Sequence, residues 1–255
     1  TNIQTVIPEK TNESYDELKE FNFDEYKIIT QLGQGTFGKI YLVQNKKGEA
    51  FSMKKIVLSE ELDVQSVINE YKMCYKLKHQ NIVNILGIYQ NKLDKTTFVV
   101  YVLMEVGITD WEKEIKSLHE RNIDYTENQL IFIIKQLISV LSFLQRNNIS
   151  HRDIKPQNIL VFKNNVYKLA DFGEAKKIGF STLNLVSNSL RGTELYMSPL
   201  LFNGLRNGQV DIKHNVFKSD TYSFDLELFE WTKVELYSNL SQFKVLNRCG
   251  HQGVI

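Results

Sequence analysis

The chain has 255 residues with 31 Lys and Arg against 30 Asp and Glu, and this balance of +1 excludes the broad positive field that draws nucleic acid or an anionic membrane. A hydrophobic fraction of 42% supports a core and excludes global disorder. Two cysteines, Cys74 and Cys249, are too few for a secreted disulfide framework, so the chain reads as a cytoplasmic protein of one large domain or two small ones.

Residues 1–22 are polar and aperiodic and read as a tail. Three strands are predicted next, over 26–32, 39–44 and 50–57, with turns at Gly33/Gly35 and at Asn45-Lys46-Lys47-Gly48. Val64, Val67, Ile68, Tyr71, Cys74 and Tyr75 recur at helical spacing, and strands over 82–90 and 97–105 follow. After Gly107 the texture turns helical. Leu130, Ile133, Ile134, Leu137, Leu141 and Leu144 make one apolar face, opened by a capping box of Thr126 and Gln129. A hairpin is predicted over 159–162 and 166–169, then an irregular stretch to Pro199, then a mostly apolar helix over 220–231. The amino terminus has no apolar signal core. Neither 98–104 nor 130–144, interrupted by Lys135 and Gln136, approaches the roughly 20 apolar residues that span a bilayer, so no membrane span is expected.

Gly33-Gln34-Gly35-Thr36-Phe37-Gly38 is a glycine-rich turn that continues as a strand, not as a helix. That context disfavours a dinucleotide fold, where a helix N-terminus meets the pyrophosphate, and favours a hairpin tip whose N–H groups close over phosphates. Lys54 and Lys55 follow on the third strand. Alternation puts Lys54 on the face of Ser52, small enough to roof a flat base, and a buried lysine calls for a counter-charge such as Glu70. Further on, His151-Arg152-Asp153-Ile154-Lys155-Pro156-Gln157-Asn158 and Asp171-Phe172-Gly173 flank the predicted hairpin, which brings Asn158 and Asp171 together as hard oxygen donors suited to Mg²⁺. Asp153 is then available to orient a hydroxyl nucleophile and receive its proton, with Lys155 neutralising charge on the transferred group.

These motifs resemble the eukaryotic protein kinase family over residues 26–231. The resemblance implies an α+β, two-lobed fold, with a small antiparallel β lobe carrying one main helix (23–107) and a mainly helical large lobe (108–255). It implies that Leu32, Gly33, Gln34, Gly35, Thr36, Phe37 and Gly38 cover ATP, that Lys54 pairs with Glu70 on the phosphates, and that Ile40, Ser52 and Leu160 sandwich the base. Met104 falls at the gatekeeper position, with Glu105 to Gly107 as the hinge. Asp153 and Lys155 are implied as catalytic, Asn158 and Asp171 as the Mg²⁺ ligands, and Asp220 as the brace of the catalytic loop. Lys155 together with Thr193 is similar to the serine/threonine branch, so the implied partner is a protein presenting a Ser or Thr hydroxyl. Ser189, with Ser187 second, is expected as a phosphorylation site whose phosphate Arg152 and Lys176 would receive.

The chain departs from the family where Ser198-Pro199-Leu200 replaces Ala-Pro-Glu and where Asp225 replaces a glycine. Only 24 residues follow Trp231, so a shortened large lobe, covered by a partner, is expected. The expected function is ATP- and Mg²⁺-dependent serine/threonine phosphorylation. The alternative is a nucleotide-binding pseudokinase or scaffold acting by contact.

Overall fold

The computed structural model describes residues 18–35, 38–178, 185–189, 197–209, 211–217 and 219–220. The chain divides into two units, Thr1–Val106 and Gly107–Ile255.

In the first unit the alternating segments form β1 (Tyr26–Gly35), β2 (Gly38–Asn45) and β3 (Ala50–Leu58), an antiparallel meander. The β2–β3 turn closes because Asn45 Oδ1 accepts the N–H groups of Lys47 and Glu49, while Gly48 takes φ +84°. Helix α1 (Glu61–Tyr75) follows and packs on the sheet, with Val64, Tyr71 and Cys74 buried. β4 (Ile85–Lys92) and β5 (Phe98–Met104) complete a five-stranded sheet ordered β1-β2-β3-β5-β4. Period-two alternation sorts the sheet into two faces. One buries Val43, Met53 and Leu103 under Phe21, Phe23, Tyr26, Tyr41, Phe51 and Tyr101. The register puts Ile40, Lys54 and Val102 on the other face, and likewise Ser52 and Met104.

The tail reading fails at its last residues. Leu18 is buried, Glu20 forms a parallel bridge with Ile88, and a 3-10 turn at Phe23–Glu25 leads into β1. Residues 18–21, Leu-Lys-Glu-Phe, are too short a run to show a period of their own, yet β4 is an edge strand whose backbone groups accept a neighbour. The rest of the predicted tail, 1–17, lies outside the described residues.

The second unit opens with β6 (Thr109–Asp110) and α2 (Trp111–Glu120), capped by Asp110, whose carboxylate accepts the Lys113 N–H at 2.9 Å. The predicted capping box is present on α3 (Glu127–Arg146): Thr126 Oγ1 accepts the Gln129 N–H at 3.3 Å and Gln129 Oε1 accepts the Thr126 N–H at 2.8 Å. By length and composition alone α3 is apolar enough to cross a bilayer, which corrects the expectation from Lys135 and Gln136. Its buried stripe of Leu130, Ile133, Leu137, Val140 and Leu144 belongs instead to the core of the unit. Gln136 fastens it by donating to the Asn165 carbonyl and accepting from the Tyr167 N–H. After β7 (Ile149–Ser150) comes the hairpin of β8 (Ile159–Phe162) and β9 (Val166–Leu169), with β6 beside β8.

Two segments of the stretch before Pro199 form strands. β10 (Lys176–Lys177) pairs with β7, and β11 (Leu185–Ser189) pairs with a later strand, β12 (Asp211–Asn215). Between these lies α4 (Pro199–Arg206), started by proline in its first turn and packed on β12 through Met197, Leu201 and Ile212. Such strand pairing is non-local, so no short-range pattern announces it. The predicted helix over 220–231 falls outside the described residues beyond Asp220, as does Asp225.

Candidate active site

In the first unit, β1 and β2 meet at Gly35 and Gly38, and Thr36 and Phe37 between them lie outside the described residues. Gly38 is fixed by its surroundings: at φ +130° a Cβ would stand 2.1 Å from the Lys55 carbonyl oxygen. At Gly33 a Cβ would meet nothing within 4 Å, so that stretch of backbone is open to approach. Leu32 and Gln34 are exposed beside it and Ile40 is half-buried on β2.

The two lysines lie on opposite faces of the sheet. Lys54 is 4% exposed, opposite Ile40 on β2 and Val102 on β5, whereas Lys55 lies over the Tyr101 ring on the other face. Glu70 is half-buried on α1, the helix that packs on β3. Ser52 is buried opposite Met104, and its hydroxyl donates to the Glu105 carbonyl at 3.0 Å. Glu105 is held twice more, its N–H donating to the Asn84 carbonyl at 3.1 Å and its Oε1 accepting the Asn84 N–H at 2.7 Å. Asn84 carries no motif and was not singled out in the sequence.

In the second unit, the sharp turn between β7 and the 3-10 turn Pro156–Asn158 holds the catalytic-loop motif. Asp220, 5% exposed, accepts three hydrogen bonds there: from Ser150 Oγ and the His151 N–H at 2.9 Å and from the Arg152 N–H at 2.8 Å. This is the bracing role expected of it. Burial pushes its carboxyl above the usual carboxylate range, while His151 and those donors pull it back. His151 is fully buried with its ring edge-on to Phe172. Its Nε2 donates to the Ala170 carbonyl at 3.0 Å, which leaves Nδ1 to accept the Asp153 N–H at 3.4 Å, and burial lowers the ring's pKa, so the imidazole is neutral.

The two ends of the β8–β9 hairpin come together as expected. Asn158 donates its amide N–H to both the carbonyl (2.8 Å) and Oδ2 (3.0 Å) of Asp153, and its own carbonyl accepts the Ala170 N–H at 2.8 Å, next to Asp171. Lys155 Nζ reaches the same Oδ2 at 2.8 Å. With Nδ2 committed to Asp153, Asn158 offers Oδ1 as its oxygen. An amide oxygen and the Asp171 carboxylate are both hard donors, the chemistry a magnesium ion takes. Leu160 on β8 lies against Gly107, where a Cβ would come within 3.1 Å of both Leu160 and the Val161 carbonyl.

The regulatory expectations fare unevenly. Arg152 takes φ +67° and donates Nε to the Glu174 carbonyl, just after the Asp171-Phe172-Gly173 motif. Ser189 is the last residue of β11, in register opposite Asp211, whereas Ser187 is opposite Lys213. Thr193 lies outside the described residues. Leu200, in the place of the family's glutamate, is 54% exposed on α4.

The protein kinase domain family matches residues 26–248, farther than the 231 reached by the motifs, and the chain belongs to that family. Among its relatives, the serine/threonine-protein kinase TIO of Arabidopsis thaliana is 36% identical over 70% of this chain and 13% of its own length. Serine/threonine-protein kinase 36 of Pongo abelii is 34% identical with the same coverage. Serine/threonine-protein kinase 32B of Homo sapiens is 30% identical over 91% of this chain and 55% of its own length. The chain thus spans from about an eighth to just over half of these relatives.

Proposed function

We propose that the chain transfers the γ-phosphoryl group of ATP to serine or threonine hydroxyls of a protein substrate. The observation that carries this reading is the set Asp153, Lys155 and Asn158, tied together through one carboxylate oxygen and set beside Asp171 by the hairpin. Asp153 orients the acceptor hydroxyl and takes its proton as the oxygen–phosphorus bond forms. Asn158 and Lys155 hold its carboxylate plane for that task, and Lys155 also offsets charge on the group in transit. In the first unit, the backbone at Gly33 and the ammonium of Lys54 bind the phosphates, and Ser52, Met104 and Glu105 meet the adenine. Asn158 and Asp171 would hold Mg²⁺, which supplies charge neutralisation between the phosphates.

The test is phosphate transfer from Mg²⁺-ATP by the full chain, with Asp153→Asn as background. A drop of roughly 10²–10⁴-fold in kcat, with ATP binding retained, is expected for loss of the proton acceptor. Exposed Leu200 in the place of an acid favours the scaffold as the second reading. Equal, residual turnover by both proteins alongside ATP-dependent stabilisation would favour it.

A further inference from the structure

We propose that residues 18–23 are a strap that positions the adenine-facing end of β5, and so act as positioning residues for ATP. This rests on the reading that Ser52, Met104 and Glu105 meet the base.

The strap is fastened in two ways. Its backbone continues the sheet past the β4 edge: the Ile88 N–H donates to the Lys19 carbonyl at 3.0 Å, and the Phe21 N–H donates to the Ile88 carbonyl at 3.2 Å. Its side chains then cover the sheet face away from Lys54. Phe21 stands edge-on to Tyr26 at 5.5 Å and 6.0 Å from Tyr89, and Phe23 lies 4.6 Å from Tyr101 and 5.7 Å from Tyr89. Each such ring pair adds to the area buried.

The point of contact is what gives the strap leverage. β4 and β5 slip register between Ile85 and Gly87, with Leu86 as the additional residue of a bulge. Gly87, on the far side of that bulge, lies directly under the strap: a Cβ there would come within 3.1 Å of the Lys19 carbonyl oxygen and of the Phe21 ring. One residue before Ile85, Asn84 makes the two hydrogen bonds that hold Glu105, and Glu105 in turn accepts from Ser52. The strap therefore presses on the bulge, the bulge sets the start of β4, and the start of β4 sets residues 104–106. A tail that only shielded the edge strand would need neither the glycine under it nor a bulge at that place.

The experiment compares the full chain with Phe21→Ala, Gly87→Ala and their combination, measuring kcat, KM for ATP and amide hydrogen exchange at Glu105. Each single change is expected to raise the KM about 5-fold, the low end of ordinary coupling between sites, with kcat unchanged and faster exchange at Glu105. The combination is expected to raise the KM by less than the product of the two single effects, because the ring that the new methyl strikes is gone while the Lys19 carbonyl oxygen remains, and Phe21→Leu is expected to restore the KM. If Phe21→Ala does not fold, Gly87→Ala, which adds one methyl, decides by itself. An unchanged KM with faster exchange confined to Phe21 and Ile88 would overturn the proposal, leaving the strap as an edge cover. If Ser52→Leu also leaves the KM for ATP unchanged, the adenine reading itself falls and the strap's role falls with it.

Discussion

Arg152 and Asp171 both hold positive φ, 67° and 56°, without being glycine, and both stand in the second unit. Such a backbone costs about 1–3 kcal/mol unless its surroundings over-determine it. For Arg152 they do, through Asp220 on its N–H and the Glu174 carbonyl on its guanidinium. The same loop carries a titratable core residue. Asp220, Asp153 and Asp171 raise the pKa of His151, yet burial outweighs them and holds the ring neutral below its ordinary value of 6.5. The unfolded chain takes up a proton there as pH falls and the folded chain does not, so this contribution is complete above about pH 6.5 and is lost as pH drops beneath it. Thermal unfolding followed from pH 7.5 to pH 5 is expected to show a falling Tm, with a shallower slope for His151→Gln. Asp153, Asn158 and Asp171 were legible in the sequence because their chemistry needs those residue types at that spacing. The bond roles were not: which atom of Asn158 is spent on Asp153 depends on a turn that only coordinates reveal.

At the level of elements, α3 shows how a local signal can be read directly. The Thr126–Gln129 box is reciprocal, each residue satisfying a backbone or side-chain partner of the other. Thr126→Ala is expected to cost about 1 kcal/mol, read as a shift in denaturant midpoint at constant slope. The strands of the first sheet were legible for the same reason, since alternation and turn residues are local, and the Lys54/Lys55 choice followed from period two alone. Two elements were not legible. Residues 18–21 pair with an edge strand some 70 residues later in the chain, and β11 finds its partner beyond α4, so neither has a periodic pattern of its own.

For the molecule as a whole, Asp220 is the residue with the widest reach. Its removal in Asp220→Ala strands one hydroxyl and two backbone N–H groups, most of them buried, at a cost of about 3 kcal/mol or more. The loop would also be misplaced, so kcat is expected to fall about 10²-fold, checked by steady-state transfer alongside equilibrium unfolding. Its three partners precede it by 68 to 70 positions. A ribosome adding about 5–20 residues each second delivers Asp220 roughly 3–14 s after His151 has been made. Throughout that interval Ser150, His151 and Arg152 lack their acceptor, so the emerging polypeptide cannot fix this loop in place before residue 220 has been made.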